Sequence, residues 1–164
     1  MRLKKGWSTH IPVLLKYAQK TKGSILELGA GIHSTPLLHW ICAEDGRKLI
    51  TYESNSKWYK YAKQYQSRNH TIRFVKSWDS LDLEPPNTSA QKTNKRWSIV
   101  FVDHDIDRRF IDTVRLKDKA DYIILHDTDT PAYKYDKVWD NFKYTFHWKF
   151  CRPHTSVVSN YYKL

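Results

Sequence analysis

The chain has 164 residues, 28 Lys and Arg against 17 Asp and Glu, a formal net charge of +11 and two cysteines. That length suits one domain over residues 1–164 and excludes a catalytic domain joined to an elaborate substrate domain, so any acceptor site must be built from loops. No apolar stretch approaches the roughly 18 residues of a membrane span, and Met1-Arg-Leu-Lys-Lys5 runs into Gly-Trp-Ser-Thr-His10 instead of a signal-peptide core. Cys42 and Cys151 have no metal-like spacing, which predicts free buried thiols in a reducing cytoplasm.

The charge is unevenly placed. Residues 1–22 hold six Lys or Arg and no acid, and residues 131–164 hold six against two acids, leaving 23–130 nearly neutral with 16 bases and 15 acids. Aromatics such as Trp7, Tyr17, Tyr133, Tyr135, Trp139, Tyr144, Trp148, Tyr161 and Tyr162 accompany the basic ends. This pattern fits a nucleic-acid surface, or a solvated rim around a pocket whose aromatic faces stack on sugars.

In chain order, Ile11, Leu14, Leu15 and Ala18 predict a short helix over 8–21. Residues 24–28 read as a buried strand, 29–35 as a glycine turn, and 36–43 as a helix capped by Ser34 or Thr35 with Pro36 in its first turn. A second strand over 49–52 ends at Glu53, and a helix over 56–66 is capped by Ser54 or Asn55. A third strand covers 71–75, and residues 81–96, with Pro85-Pro86, read as a loop in place of a crossover helix. A fourth strand covers 98–102, a helix 107–117 and a fifth strand 122–125. The tail predicts a helix over 133–141 and a hairpin of 144–150 with 155–159. Strands separated by helices predict an α/β fold with a doubly wound, mainly parallel sheet.

The turn region, Glu27-Leu-Gly-Ala-Gly-Ile-His-Ser-Thr35, places glycines where the backbone can approach a ligand closely. Ser34 replaces the third glycine of a dinucleotide site, and Glu27 precedes the first. A carboxylate suits a cationic ligand better than a pyrophosphate, which counts against a nicotinamide-dependent oxidoreductase. In such a sheet ligands bind beyond the carboxyl ends of the strands. That edge collects Glu27, Glu53, Asp79, Asp103, His104, His126 and Asp127. Glu53 lies 24 residues after Gly29, near the spacing at which an acid accepts from ribose hydroxyls. A histidine or carboxylate there can take a proton from a hydroxyl acceptor, and the candidates in order are Asp103, His126, His104 and Asp127. Asp103 and Asp127 also suit a divalent cation such as Mg2+. His10, His33, His39, His70 and His147 read as solvent-facing or core residues, and His154 as a neighbour of the acceptor pocket.

The glycine turn with its acidic flank resembles motif I of the class I S-adenosylmethionine (SAM) methyltransferases. Gly6 to Pro12, Thr51-Tyr-Glu53, Ser77-Trp-Asp79, Phe101-Val-Asp-His104, Leu125-His-Asp127 and Thr155 to Asn160 extend the likeness over almost the whole chain. Taken together they resemble compact bacterial and viral members, including domains that O-methylate glycans. The resemblance implies SAM as cofactor and an antiparallel hairpin at the sheet edge. It implies a cofactor site formed by Glu27, Gly29, Ala30, Gly31, Ser34, Thr35, Glu53, Ser77, Trp78, Asp79 and Asp103, with Trp78 on the adenine face. It implies methyl transfer to a sugar or other small polar hydroxyl in the cytoplasm, that of the host for a viral chain. Two alternatives are a nucleic-acid methyltransferase using the basic ends and a non-catalytic SAM-binding module. Asp103-His-Asp-Ile106 stands where amino-methylating enzymes carry an Asn/Asp-Pro-Pro-Tyr/Phe-like motif. Two adjacent acids follow strand five in metal-dependent relatives, whereas this chain has His126-Asp127. Acceptor identity and oligomeric state are open at this level.

Overall fold

A computed structural model describes residues 6–86 and 96–164. Its elements are α1 (Ile11–Lys20), β1 (Ile25–Leu28), α2 (Ser34–Asp45), β2 (Leu49–Glu53), α3 (Ser56–Ala62), β3 (His70–Phe74), β4 (Trp97–Val102), α4 (Arg109–Arg115), β5 (Ala120–His126), β6 (Tyr144–Trp148) and β7 (Thr155–Ser159). The strands form one sheet in the order β3-β2-β1-β4-β5-β7-β6. β1 to β5 are parallel, and β7 runs antiparallel to β6, as the hairpin pattern implied, and to β5, as the methyltransferase resemblance implied.

The apolar runs β1 and β4 are buried along their whole length because helices or turns cover both faces of the sheet. Alternation sends Leu26, Leu28, Val100, Val102, Ile123 and Leu125 to one face, against Trp78, Trp97, Leu116 and Val138. Ile25, Ile99, Phe101, Ile124 and Val157 face Val13, Leu14 and Tyr17 of α1 and Leu38 and Cys42 of α2. Glu27, two residues after Ile25, falls on this second face beside Thr51 and Phe101 in register. That alternation buries its carboxylate inside the molecule.

Several local expectations are corrected. α2 begins at Ser34 with His33 at the N-cap, and neither Ser34 nor Thr35 caps it. The Thr35 hydroxyl instead accepts from Gly31 N–H at 2.9 Å and donates to Glu27. Asn55, and not Ser54, caps α3, accepting from the N–H groups of Lys57 and Trp58. α3 ends at Ala62 and tightens into a 3-10 turn, Lys63–Tyr65. The helix expected over 133–141 is three 3-10 turns, Pro131–Tyr133, Tyr135–Lys137 and Trp139–Asn141. Lys134 takes a left-handed backbone, φ +54°, which interrupts any continuous α-helical ladder. Within the loop expected over 81–96, residues 81–86 carry neither helix nor strand, and 87–95 lie outside the described residues.

Candidate active site

A cavity of about 500 Å³ opens at the carboxyl edge of the sheet. One wall is the glycine turn, with Ala30, Gly31, Ile32, His33 and Ser34. The opposite wall holds Asp103 after β4, His126 and Asp127 at the end of β5, and Arg109 at the start of α4. Trp7, His10, Trp58, Tyr133 and Pro153 complete the enclosure. The volume lies within the range of small-ligand and cofactor pockets, which run from roughly 300 to 1,000 Å³.

Gly29 has φ +91°, and a Cβ there would lie 2.4 Å from the Asp103 carbonyl oxygen. The glycine is thus required by the backbone at the end of β4, which crosses directly beside it. At Gly31 an added Cβ would meet only the Ser34 Oγ, at 3.0 Å. Glu53 lies behind the turn and accepts from Ala30 N–H at 2.7 Å and Asn55 N–H at 2.6 Å. Burial raises its carboxyl above the ordinary value, and these bonds partly offset that.

Asp103, His126 and Asp127 bring one ligand atom each within 4.8 Å of one another. His126 Nδ1 stands 3.4 Å from Asp103 and 3.5 Å from Asp127. Its Nε2 meets the Thr9 hydroxyl at 3.1 Å, and that hydroxyl lies 2.8 Å from the Pro153 carbonyl. A hydroxyl that donates to Pro153 can only accept from His126, so Nε2 carries the proton and Nδ1 faces the carboxylates. Burial alone would lower the His126 pKa, but Asp103 and then Asp127 raise it above the ordinary value. Burial opposes ionisation of Asp103, yet His126 and Arg109 hold its carboxyl below the usual range.

Arg109 donates to Asp103 at 2.7 Å and Asp127 at 3.1 Å, and to the carbonyls of His104 and His126. Its guanidinium lies over the Tyr133 ring, 4.0 Å from the centroid. Arg109 therefore pairs with both carboxylates, and the His126 ring faces the same two groups. His10 packs edge-on to His126, with centroids 4.6 Å apart, and burial lowers its pKa to about 3. It is a neutral wall of the cavity, and neither ring nitrogen has a hydrogen-bond partner among the described residues.

Of the residues expected to bind cofactor, Ala30, Gly31, Ser34 and Asp103 line the cavity. Glu27, Gly29, Thr35 and Glu53 stand behind that wall. Glu27 is wholly buried, receives the hydroxyls of Thr35 and Thr51, and has a pKa raised by burial to about 7. Ser77, Trp78 and Asp79 lie outside the cavity. Trp78 donates its indole N–H to Asp105 and packs on His104, while exposed Asp79 pairs with Arg108.

Among the catalytic candidates, Asp103, His126 and Asp127 converge in the cavity and His104 does not. The His104 side chain is 1% exposed and bound to buried Asp112, on the Trp78 side of the sheet. His10 and His33 prove to be cavity residues, whereas His154 is not: its N–H binds Asp129 and its neighbour Pro153 enters the wall. Thr9, Trp58 and Arg109 were not singled out from sequence, and Trp7 and Tyr133 were named only among the aromatics that accompany the basic ends. Three ligand atoms in Asp103, His126 and Asp127 are a donor set for a divalent cation, with Arg109 competing for both carboxylates.

The strand order, the parallel core and the antiparallel final pair define the class I methyltransferase fold. Solved structures share it. The N-terminal domain of human METTL16 in complex with SAH gives a TM-score of 0.64 at 12% identity over 99% of this chain and 73% of that one. An O-methyltransferase from Bacillus cereus, also with SAH, gives 0.61 at 15% identity over 89% and 77%. A methyltransferase from Pyrococcus furiosus gives 0.54 at 14% identity over 99% and 88%. No protein-family model and no curated sequence matches the chain.

Proposed function

We propose that the protein is a SAM-dependent O-methyltransferase acting on a sugar or other small polar hydroxyl. The observation that carries this is the Asp103, His126 and Asp127 cluster facing the glycine turn across one cavity. The cavity fits the cofactor's chemistry. Its carboxylates suit an ammonium and a sulfonium, Ala30, Gly31 and Ser34 offer a close backbone wall, and Trp7 and Trp58 add aromatic rings to the lining, which suit an adenosine. Glu53 stands behind this wall and holds the turn in place through Ala30 N–H and Asn55 N–H.

When bound, SAM supplies an electrophilic methyl group on sulfur. The chain's own task is to hold a hydroxyl in line with that methyl and to remove its proton. Asp103 and Asp127 orient the hydroxyl through their exposed oxygens. Neutral His126 would receive the hydroxyl proton on Nδ1, and SAM held against the glycine turn would supply the methyl group that replaces that proton. Arg109 fixes both carboxylates, and Thr9 fixes the ring. Calorimetry with SAM and S-adenosylhomocysteine is the direct test, and absence of binding for both at millimolar concentration would remove this proposal.

One observation favours a variant of it. The buried His126 Nδ1 has no hydrogen-bond partner among the described residues and points at two carboxylates, as a metal ligand would. The His and Asp set suits Mn2+ better than Mg2+, which demands oxygen ligands. Turnover that disappears with a chelator and returns with Mn2+ selects this variant, and turnover indifferent to chelation leaves His126 as the base.

A further inference from the structure

Neutrality of the middle of the sequence conceals a segregation that the fold exposes. Residues 54–76 contain Lys57, Lys60, Lys63, Arg68, Arg73 and Lys76 and no acid, and all six bases are exposed on α3, on edge strand β3 or in the adjoining turns. This basic flank reaches the cavity, because Trp58 on α3 is one of its walls. From Trp58 an aromatic row runs outward: Trp7 and Trp58 meet edge-on at 5.9 Å, Trp58 and Tyr61 at 6.0 Å, and Tyr61 and Tyr65 at 5.8 Å. The loop between β6 and β7 enters another wall through Pro153. It carries Lys149 and Phe150, whose ring is 84% exposed.

Lysines beside partly exposed aromatic rings match a single strand's alternation of phosphate and base. The cavity floor holds Arg109 engaged by both carboxylates, so it offers phosphate no open guanidinium, while Asp103 and Asp127 can accept a hydroxyl hydrogen. An anionic polymer would therefore keep its backbone on the basic flanks and send a neutral hydroxyl inward. We infer that the acceptor is a ribose hydroxyl of single-stranded RNA lying across the cavity mouth between α3 and the β6–β7 loop. This inference rests on the O-methyltransfer proposed above and narrows its acceptor class.

The test uses the full chain and a fluorescent single-stranded RNA of about 15 nucleotides, the scale of one such groove. Binding is followed by anisotropy across a salt series, and transfer by radioactive methyl from SAM. Expected are binding that weakens steeply with salt, a shallower salt slope in Lys57→Gln/Lys60→Gln, by about 0.7 for each phosphate no longer neutralised, and binding about tenfold weaker in Phe150→Ala. Lys143→Gln, away from the mouth, should bind like the parent. Label should enter the RNA and resist alkaline hydrolysis of the adjacent phosphodiester, and the matching DNA should receive none. Equal weakening by Lys143→Gln, equal binding of sulfated polysaccharide without dependence on Phe150, or bound RNA that receives no methyl would each overturn the inference. Methyl transfer to a free sugar with no RNA binding would overturn it while leaving the O-methyltransfer proposal standing. SAM binding lost altogether would remove both.

Discussion

His126 Nδ1 lies 3.4 Å from Asp103 Oδ1, at the junction of the two strand ends that the fold brings together. The pair sets the expected pH dependence. His126 has a folded pKa above 6.5, so as a base it is protonated and inactive below that value, and turnover should climb as pH rises through it. Its contribution to stability has the opposite sense, being complete below 6.5 and fading as pH rises through the folded pKa. Asp103→Asn should lower turnover by about 100-fold or more and move the acid limb of the pH-rate profile to lower pH. A profile unmoved by that change would take Asp103 out of the proton pathway.

Arg109 is the cation that allows Asp103 and Asp127 to share one site. Arg109→Leu leaves both carboxylates without it and should cost about 3–5 kcal/mol in denaturant unfolding. Arg109→Lys keeps the charge but cannot reproduce the fork, so it should recover only part of the loss. Equal stability of Arg109→Leu and the parent would contradict the geometry.

The two turn glycines should separate cleanly. Gly29→Ala places a methyl against the Asp103 backbone in a left-handed conformation, and a loss of about 2–3 kcal/mol with a weaker cofactor site is expected. Gly31→Ala requires only that Ser34 turn its hydroxyl aside, and thermal unfolding should barely change.

Glu27 supplies a second pH signature. Its carboxyl titrates at about 7 in the folded chain against 4.5 unfolded, because burial opposes its charge. The stability this contributes is whole below 4.5 and is lost as pH rises through 7, a decline on the order of 3 kcal/mol. Glu27→Gln should flatten that decline, measured by denaturant midpoints across the range. A curve as steep as that of the parent would assign the decline to other groups.

The local chemistry of the chain was legible wherever it depends on neighbours in sequence. Apolar runs marked β1, β2, β4 and β5, the alternating tail marked β6 and β7, and the strand-helix alternation marked a parallel sheet. Acids and histidines directly after strands had to lie on one edge, so Asp103, His126 and Asp127 were found together. Local patterning failed at Lys134, whose left-handed backbone divides an expected helix into 3-10 turns.

What the sequence determined by itself was this sheet and the edge at which the cavity opens, because side-chain period and strand ends are local properties. Which groups face the cavity was decided by tertiary structure. Alternation turned Glu27 into the core, Asp112 drew His104 away, and Asp105 held Trp78 outside, while α4 brought Arg109 onto the acids. Trp7, Thr9 and His10, more than ninety residues from Asp103 in the chain, became part of the site only because the segment leading into α1 folds back over the end of β5. A charge finds its partner, and an aromatic ring its neighbour, through distances that exist only once the sheet has closed.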